Sequence, residues 1–544
     1  MKRIAMTNTA RTTETVRVAD CMPVALGSEA EMLAHPVFRH LFVESERIAQ
    51  CALLFRRRPR EAGESGPVLV HLVSTPGSIA CQTDYEKLVG RMGSTLRPGG
   101  IRWEMDDATG TVLNPCSALQ SAVTLEPGET AQLHFAMGLI EPEEMDRWVE
   151  RNFAEATPER ASQLSRMQAK AMLGFLGMDA RRYRQLQRLS ALLLDRHLAL
   201  GEAPRGEAVA CPRESLWGLG ISGDLPLMLM HVGNRREIAC VREAIQAHEF
   251  YRTLGMQIDL VLVNEYGNDY DQPVRDALSD AVAFSHLNDM RGVPGGVHLL
   301  EGQSLTAEQR MALGRAAVVE LNAAEDFGAQ LRRRLAVLEV PAREAMQMRL
   351  GENRLTAMHM ANGYGGFLAD GRYAIDVLPD AATPAPWANL MTNDHFGVLT
   401  TERGGGFLWA GNSRSGRLTS FVNDVLREGW GWMLYLVEED TGAFARLLPG
   451  DCPQAPFRTL YAAKETVYRF ETEELSAEVD LCVRSDAPEM RAHVTLRTSG
   501  SGKYRLVGFV DWLMGTDARD AAFVRTWTRD GACYAVGTAR GTAY

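Results

Sequence analysis

The stretch that decides the fold reads NGYGGFLADGRYAIDV over Asn362–Val377 and TPAPWANLMTNDHFGVLTTERGGGFLWAGNSRSGRLTSFVND over Thr383–Asp424. Short apolar runs alternate with polar residues and are broken by glycine, Asp370-Gly371 among them, a pattern that predicts twisted antiparallel strands and tight turns. Gly363-Tyr364-Gly365-Gly366 and Gly404-Gly405-Gly406 lack the following Lys-Ser/Thr of a phosphate loop, so they read as places of close backbone approach. Thr383-Pro384-Ala385-Pro386-Trp387 sets a corner, because each proline locks φ and holds the residue before it extended. Trp387 there is expected to pack at a sandwich edge. A dense polar string then follows an aromatic residue. The set Trp409, Asn412, Arg414, Arg417, Asn423 and Asp424 combines a flat apolar face with fixed donors and acceptors, which is what a sugar ring and its hydroxyls require. A structural reading competes with this one: the same side chains would tie a long loop to its own sandwich.

Upstream, residues 225–320 change character. Leu225–Val232, Ile258–Asn264 and Val297–Leu300 read as strands, and Arg236–Leu254, Asp271–Phe284 and Thr306–Leu321 as helices. Such a βαβαβα run predicts a small parallel sheet covered by helices. Polar residues flank two of its strands, Ser222-Gly223-Asp224 and Asn264-Glu265, and turn-forming or capping roles account for them most simply. Residues 141–200 carry apolar residues at three- and four-residue spacing and predict helices. Residues 1–135 look β-rich, with alternation over Thr15–Ala25 and Pro67–Val73. His248-Glu249 lies on a predicted helix without a second histidine at zinc-protease spacing, so packing is expected. Glu438-Glu439-Asp440 leads into Thr441-Gly442 and reads as a hairpin tip.

The two ends resemble each other. VRVADCMPVALG at 16–27 is similar to YRLVGFVDWLMG at 504–515, with Arg17 matching Arg505 and Gly27 matching Gly515, an offset of 505 − 17 = 488. Fixed-offset similarity is the signature of a repeated unit. Equivalent ends suggest that the amino-terminal strands complete the carboxy-terminal sandwich, as in a circular permutation.

At about 150 residues per domain, 544 residues suggest three or four structural units. The net charge of −11 gives no basic footprint for nucleic acid. No apolar run reaches the ~18 residues of a membrane span, and no secretory signal follows Met1-Lys2-Arg3. The nine cysteines are dispersed without a C-x-x-C pair, so zinc-ribbon and thioredoxin-like readings fail. Such a set fits a reducing, cytoplasmic compartment.

Three groups of motifs carry a family resemblance. They are HPVFRHLFVESE at 35–46 with RRRPRE at 56–61; LWGLGISGDLPLML at 216–229 with VREAIQAHEFYRTLGMQIDLVLVNE at 241–265; and the 362–424 series quoted first. Together they resemble the family-94 glycoside phosphorylases and, within them, the cyclic β-1,2-glucan synthases. Phe421-Val422-Asn423-Asp424-Val425 departs from the family's Trp-Ser-Asn-Asp-Pro, and the His-Gly pair usual near Ala462–Glu465 is absent.

The resemblance implies antiparallel β-supersandwich portions at both ends joined by a helical and βαβ-type middle. Residues 1–140 are expected to form the second part of one supersandwich, 141–350 a linker domain, and 351–544 the first part of a second, carbohydrate-binding supersandwich. It further implies that catalysis belongs to a downstream (α/α)6 barrel absent from these residues. There an Asp protonates the glycosidic oxygen while inorganic phosphate attacks with inversion. No catalytic residue, metal ligand or cofactor is assigned within this chain. The expected partners are a β-glucan oligosaccharide and that barrel, on the cytoplasmic side of the inner membrane in the parent protein. The expected role is carbohydrate binding and scaffolding; a stand-alone phosphorylase and a purely structural spacer are the alternatives.

Overall fold

The computed structural model describes residues 1–27, 36–59, 66–93, 99, 105–154, 157–194, 213–267, 271–336, 358–379, 381–451, 453, 455–471, 475–499, 502–516 and 518–537. The chain forms two compact units. The first comprises Met1–Lys170, Ala382–Pro386 and Asp424–Glu428; the second comprises Ala171–Ala381, Trp387–Asn423 and Gly429–Tyr544.

In the first unit the strands are β1 (Lys2–Thr7), β2 (Glu14–Pro23), β3 (Val43–Ala49), β4 (Ala52–Arg57), β5 (Val68–Ser74), β6 (Ser78–Asp84), β7 (Gly110–Thr111), β8 (Pro115–Leu125) and β9 (Thr130–Ile140). They make a six-stranded sheet ordered β1-β9-β5-β4-β3-β7 and a three-stranded sheet ordered β2-β8-β6. Phe55, Val73, Leu119, Leu133 and Phe135 meet in the core between the two layers. The opposite face of β4 and β5 is apolar too, and Met145, Trp148 and Val149 of helix Met145–Phe153 cover it. Gly138 is required there, because a Cβ would stand 2.7 Å from the Trp148 ring. The amino-terminal strands β1 and β2 pair with β9 and β8 of their own unit. That pairing replaces the expectation that they complete the carboxy-terminal sandwich.

The second unit begins with the α/β layer. Strands β10 (Leu227–Val232), β11 (Asp259–Asn264), β12 (Val297–Glu301) and β13 (Ala317–Asn322) form a parallel sheet ordered β12-β11-β10-β13. Every residue of β11 is buried, as a parallel sheet covered on both faces demands. The helix expected over Thr306–Leu321 ends at Ala316, and the remaining residues form β13. Thr306 and Gln309 make a reciprocal capping box that sets its start. At its other end Val318 and Val319 are β-branched and find an open edge beside β10, so sheet pairing overrides the helical spacing.

The rest of this unit is a sandwich. One sheet runs β14-β15-β22-β23-β24-β25, from β14 (Gly365–Phe367) and β15 (Tyr373–Val377) through β22 (Phe457–Ala462), β23 (Glu465–Glu471) and β24 (Leu475–Val483) to β25 (Met490–Thr498). A second contains β16 (Ala388–Thr392), β17 (Phe396–Thr401), β18 (Gly406–Ala410), β19 (Arg417–Thr419) and β27 (Trp512–Gly515). A third joins β21 (Phe444–Arg446), β20 (Trp432–Glu438) and β26 (Tyr504–Val510). Ile375, Met391, Val398, Trp432, Phe457, Tyr468 and Val479 meet in the core. The expected hairpin tip at Glu438–Gly442 joins β20 to β21. After β27 the chain drops Phe523 into the core of the α/β layer with Leu216, Leu227 and Val261, which ties sandwich and α/β layer together inside one unit. Among the described residues no helix is long and apolar enough to cross a membrane.

Candidate functional site

Strands β18 and β19 form the hairpin that carries the aromatic-and-polar string. Phe407 and Trp409 are two residues apart on β18 and therefore share a face. Leu408, between them, points into the sandwich core. Trp409 pairs in register with Gly397 on β17. A Cβ at Gly397 would lie 2.0 Å from the indole, so the glycine lets the ring lie flat across the neighbouring strand. Ring centroids of Phe407 and Trp409 are 4.9 Å apart, and those of Phe407 and Phe421 are 4.2 Å apart. The Arg417 guanidinium carbon sits 5.9 Å from the Phe407 ring centre and 5.7 Å from that of Phe421. Trp409, Phe421 and Arg417, all half-buried, thus gather around the buried Phe407 ring.

Arg417 also donates from Nε to the Ser413 carbonyl at 3.2 Å. Burial lowers its pKa from the ordinary arginine value, and the nearby Arg414 charge adds to the effect. Asn412 closes the hairpin turn, its side-chain oxygen accepting from the Arg414 and Ser415 amides at 2.9 and 3.0 Å. Arg414 and Asn423 are exposed. Asp424 is placed differently. It belongs with Asp424–Glu428 to the first unit, where its carboxylate accepts from the Leu426 amide at 2.8 Å and meets Arg427. Leu426 there packs with Tyr85, Leu88 and Val89, and Arg91 forms a buried ion pair with Glu428. The structure therefore brings Trp409, Asn412, Arg414 and Arg417 onto one hairpin. It adds Phe407 and Phe421, which the sequence reading missed. The i, i+2 spacing of Phe407 and Trp409 was the available signal for the first; nothing local marks Phe421.

Trp387 packs partly buried against the sandwich core, edge-on to Tyr364 at 5.8 Å. Its amide donates to the Glu402 carboxylate at 2.8 Å, and its carbonyl accepts from the Tyr461 hydroxyl at 2.6 Å. His248 is buried in its helix with Nε2 2.8 Å from the Ile258 carbonyl, a packing role.

A second polar cluster stands at the carboxyl ends of the parallel strands. His231 contacts Glu265 through Nδ1 and Glu320 through Nε2, each at 2.9 Å, and Arg310 donates to Glu265 at 2.7 Å. The Glu320 hydrogen bond raises the His231 pKa from its ordinary value against the opposing effect of burial, and Glu265 adds to the rise. The Arg310 hydrogen bond leads the effects that lower Glu265.

Two separated stretches, residues 1–166 and 371–540, match the family described as glycosyl hydrolase 94, supersandwich domain. The chain belongs to that family. The matched stretches cover the β layers of the first unit and the sandwich of the second, so the glycosyl hydrolase 94 supersandwich accounts for both β regions. The chain is also 24% identical over 568 residues to the cyclic beta-(1,2)-glucan synthase NdvB of Rhizobium meliloti (strain 1021), an alignment covering 96% of this chain and 20% of that protein. This supersandwich chain therefore spans about a fifth of the length of that relative.

Proposed function

We propose that this chain is a carbohydrate-binding and scaffolding section of a cyclic β-1,2-glucan synthase-type protein. The observation that carries the reading is the half-buried set Trp409, Phe421 and Arg417 gathered around the buried Phe407 ring. A glucose ring stacks its C–H face on an indole, and the guanidinium offers hydroxyls a rigid fork of donors. Arg414 and Asn423 extend hydrogen-bonding groups from the rim, while Asn412 holds the turn that presents them. The parent activity is synthesis and cyclisation of β-1,2-glucan with phosphorolytic control of chain length, at the cytoplasmic side of the inner membrane. A downstream (α/α)6 barrel supplies the general acid, and the present residues grip the glucan that the barrel processes.

Titration of the purified chain with β-1,2-glucooligosaccharides, followed by calorimetry, tests this. Trp409→Ala is expected to weaken binding about tenfold, equivalent to about 1.4 kcal/mol, whereas the exposed Trp217→Ala leaves it unchanged. A flat titration favours the spacer. Release of glucose 1-phosphate from oligosaccharide and phosphate by the chain alone would show that it is itself a phosphorylase.

A further inference from the structure

The sheet that carries Trp409 has two unlike faces. Met391 on β16, Val398 on β17 and Leu408 on β18 point into the sandwich core. Their neighbours one position away point outward, and the strand register groups these into two rows that cross the strands. In one row Leu390 stands opposite Leu399, and Leu399 opposite Phe407. In the other Thr392 stands opposite Gly397, Gly397 opposite Trp409, and Trp409 opposite Arg417. The indole leaves β18 and lies over Gly397, where a Cβ would meet its Cζ2 and Cε2 at 2.0 and 2.2 Å. Its far edge thereby reaches toward Thr392 on β16. Leu390 is 57% exposed and Leu399 half-buried, so an apolar bed continues beside the indole.

Two turns stand along one side of this second row. The turn between β16 and β17 and the turn between β18 and β19 are joined by a hydrogen bond from the Gly411 amide to the His395 carbonyl at 2.8 Å. Asn393 fixes the first turn as Asn412 fixes the second. Its side-chain oxygen accepts from the His395 and Phe396 amides, each at 2.8 Å, and its nitrogen donates to the Arg484 and Ala487 carbonyls, each at 2.7 Å. Asp394 and His395 are thus presented to solvent on a rigid turn, beside exposed Thr392. Among the described residues these three side chains take part in no hydrogen bond or ion pair.

We infer that this face carries a track for several consecutive residues of a β-glucan chain, running across the strands from Arg417 over Trp409 and Gly397 to Thr392, with Asp394 and His395 as further contacts on its rim. The inference rests on the carbohydrate-binding reading of Trp409 and extends that site to residues on two more strands. From β19 to β16 the row crosses three inter-strand steps, roughly 14 Å, the length of about three linked hexoses. Sugar C–H faces lie on the apolar bed, and hydroxyls, which both donate and accept, meet Thr392, His395, Asp394 and Arg414. A purely apolar partner would bury those rim groups without replacing their hydrogen bonds to water.

Calorimetric titration of the full chain with the β-1,2-linked di-, tri- and tetrasaccharides of glucose tests the track. Affinity is expected to rise at least about fivefold from disaccharide to trisaccharide and to change little beyond. Thr392→Val and the double variant Asp394→Ala/His395→Ala each remove most of that rise while leaving the disaccharide within about twofold of wild type, whereas Trp409→Ala weakens every length. All three changed rim positions are exposed, and circular dichroism verifies the fold of each variant. If the sugars bind and Trp409→Ala weakens them, yet affinity ignores chain length or both rim variants, the track is overturned and the site at Trp409 stands. If no oligosaccharide binds wild type, both fall together.

Discussion

Asp20→Asn in the first unit gives a quantitative test of the packing that holds β2. Burial raises the pKa of this carboxyl, yet its hydrogen bonds to His71 and Lys2 outweigh burial and take it down from 3.8 to about 2. A carboxylate depressed by ~1.8 units at ~1.36 kcal/mol per unit stabilises the fold by about 2.5 kcal/mol near neutrality. The folded pKa lies below the unfolded one, so this contribution is present above the unfolded value and is lost as pH falls through the folded value. At pH 3 it shrinks to about 1.3 kcal/mol. Hydrogen exchange read by mass spectrometry on peptides from 2–23 and 115–140 reports the local opening of β2 from β8. At pH 7 the variant is expected to exchange there about 60-fold faster than wild type, with a difference that narrows at pH 3. Equal protection at pH 7, or a difference independent of pH, would refute the account of why β2 stays in place.

Other expectations follow from single contacts. Gly397→Ala places a methyl inside the Trp409 ring position; it should cost about 1–3 kcal/mol and, by tilting the indole, lower oligosaccharide affinity as much as Trp409→Ala does, which calorimetry and thermal melting check together. Glu428→Ala leaves Arg91 buried without its carboxylate; unfolding of the first unit in urea should become easier by about 3–5 kcal/mol, while the paired change Arg91→Met/Glu428→Leu recovers most of the loss. His231, raised by Glu320 and Glu265, stabilises the α/β layer fully below its unfolded pKa of about 6.5, and the benefit fades as pH rises through the folded value. The melting temperature of wild type should therefore fall from pH 6.5 upward in a way that His231→Gln removes.

Much of the architecture was legible in residue order. Period-two alternation over Thr15–Ala25 and Pro67–Val73, the spacing of apolar residues in 141–200, and apolar runs separated by helical patterns in 225–320 each report a local geometry, and strands Glu14–Pro23 and Val68–Ser74, the helices between Met145 and Leu194, and the parallel strands from Leu227 onward overlap those stretches. The helix expected to reach Leu321 failed for a nonlocal reason: Ala317–Asn322 could pair with β10, and hydrogen bonds across a sheet outweigh weak helical spacing. The candidate site divides in the same way. Trp409, Asn412, Arg414 and Arg417 were found together because a hairpin keeps sequence neighbours close.

Sequence by itself thus determined the two β regions, the parallel layer between them, the family, and the string of residues around Trp409, since all of these rest on short-range periodicity or motif order. Tertiary structure alone decided two other things. It joined Phe421 to Phe407 beneath Arg417, and it placed Asp424 in the first unit apart from its neighbour Asn423. Those outcomes depend on which distant strands become neighbours, and side chains brought together across a sheet leave no mark in the local pattern of either strand.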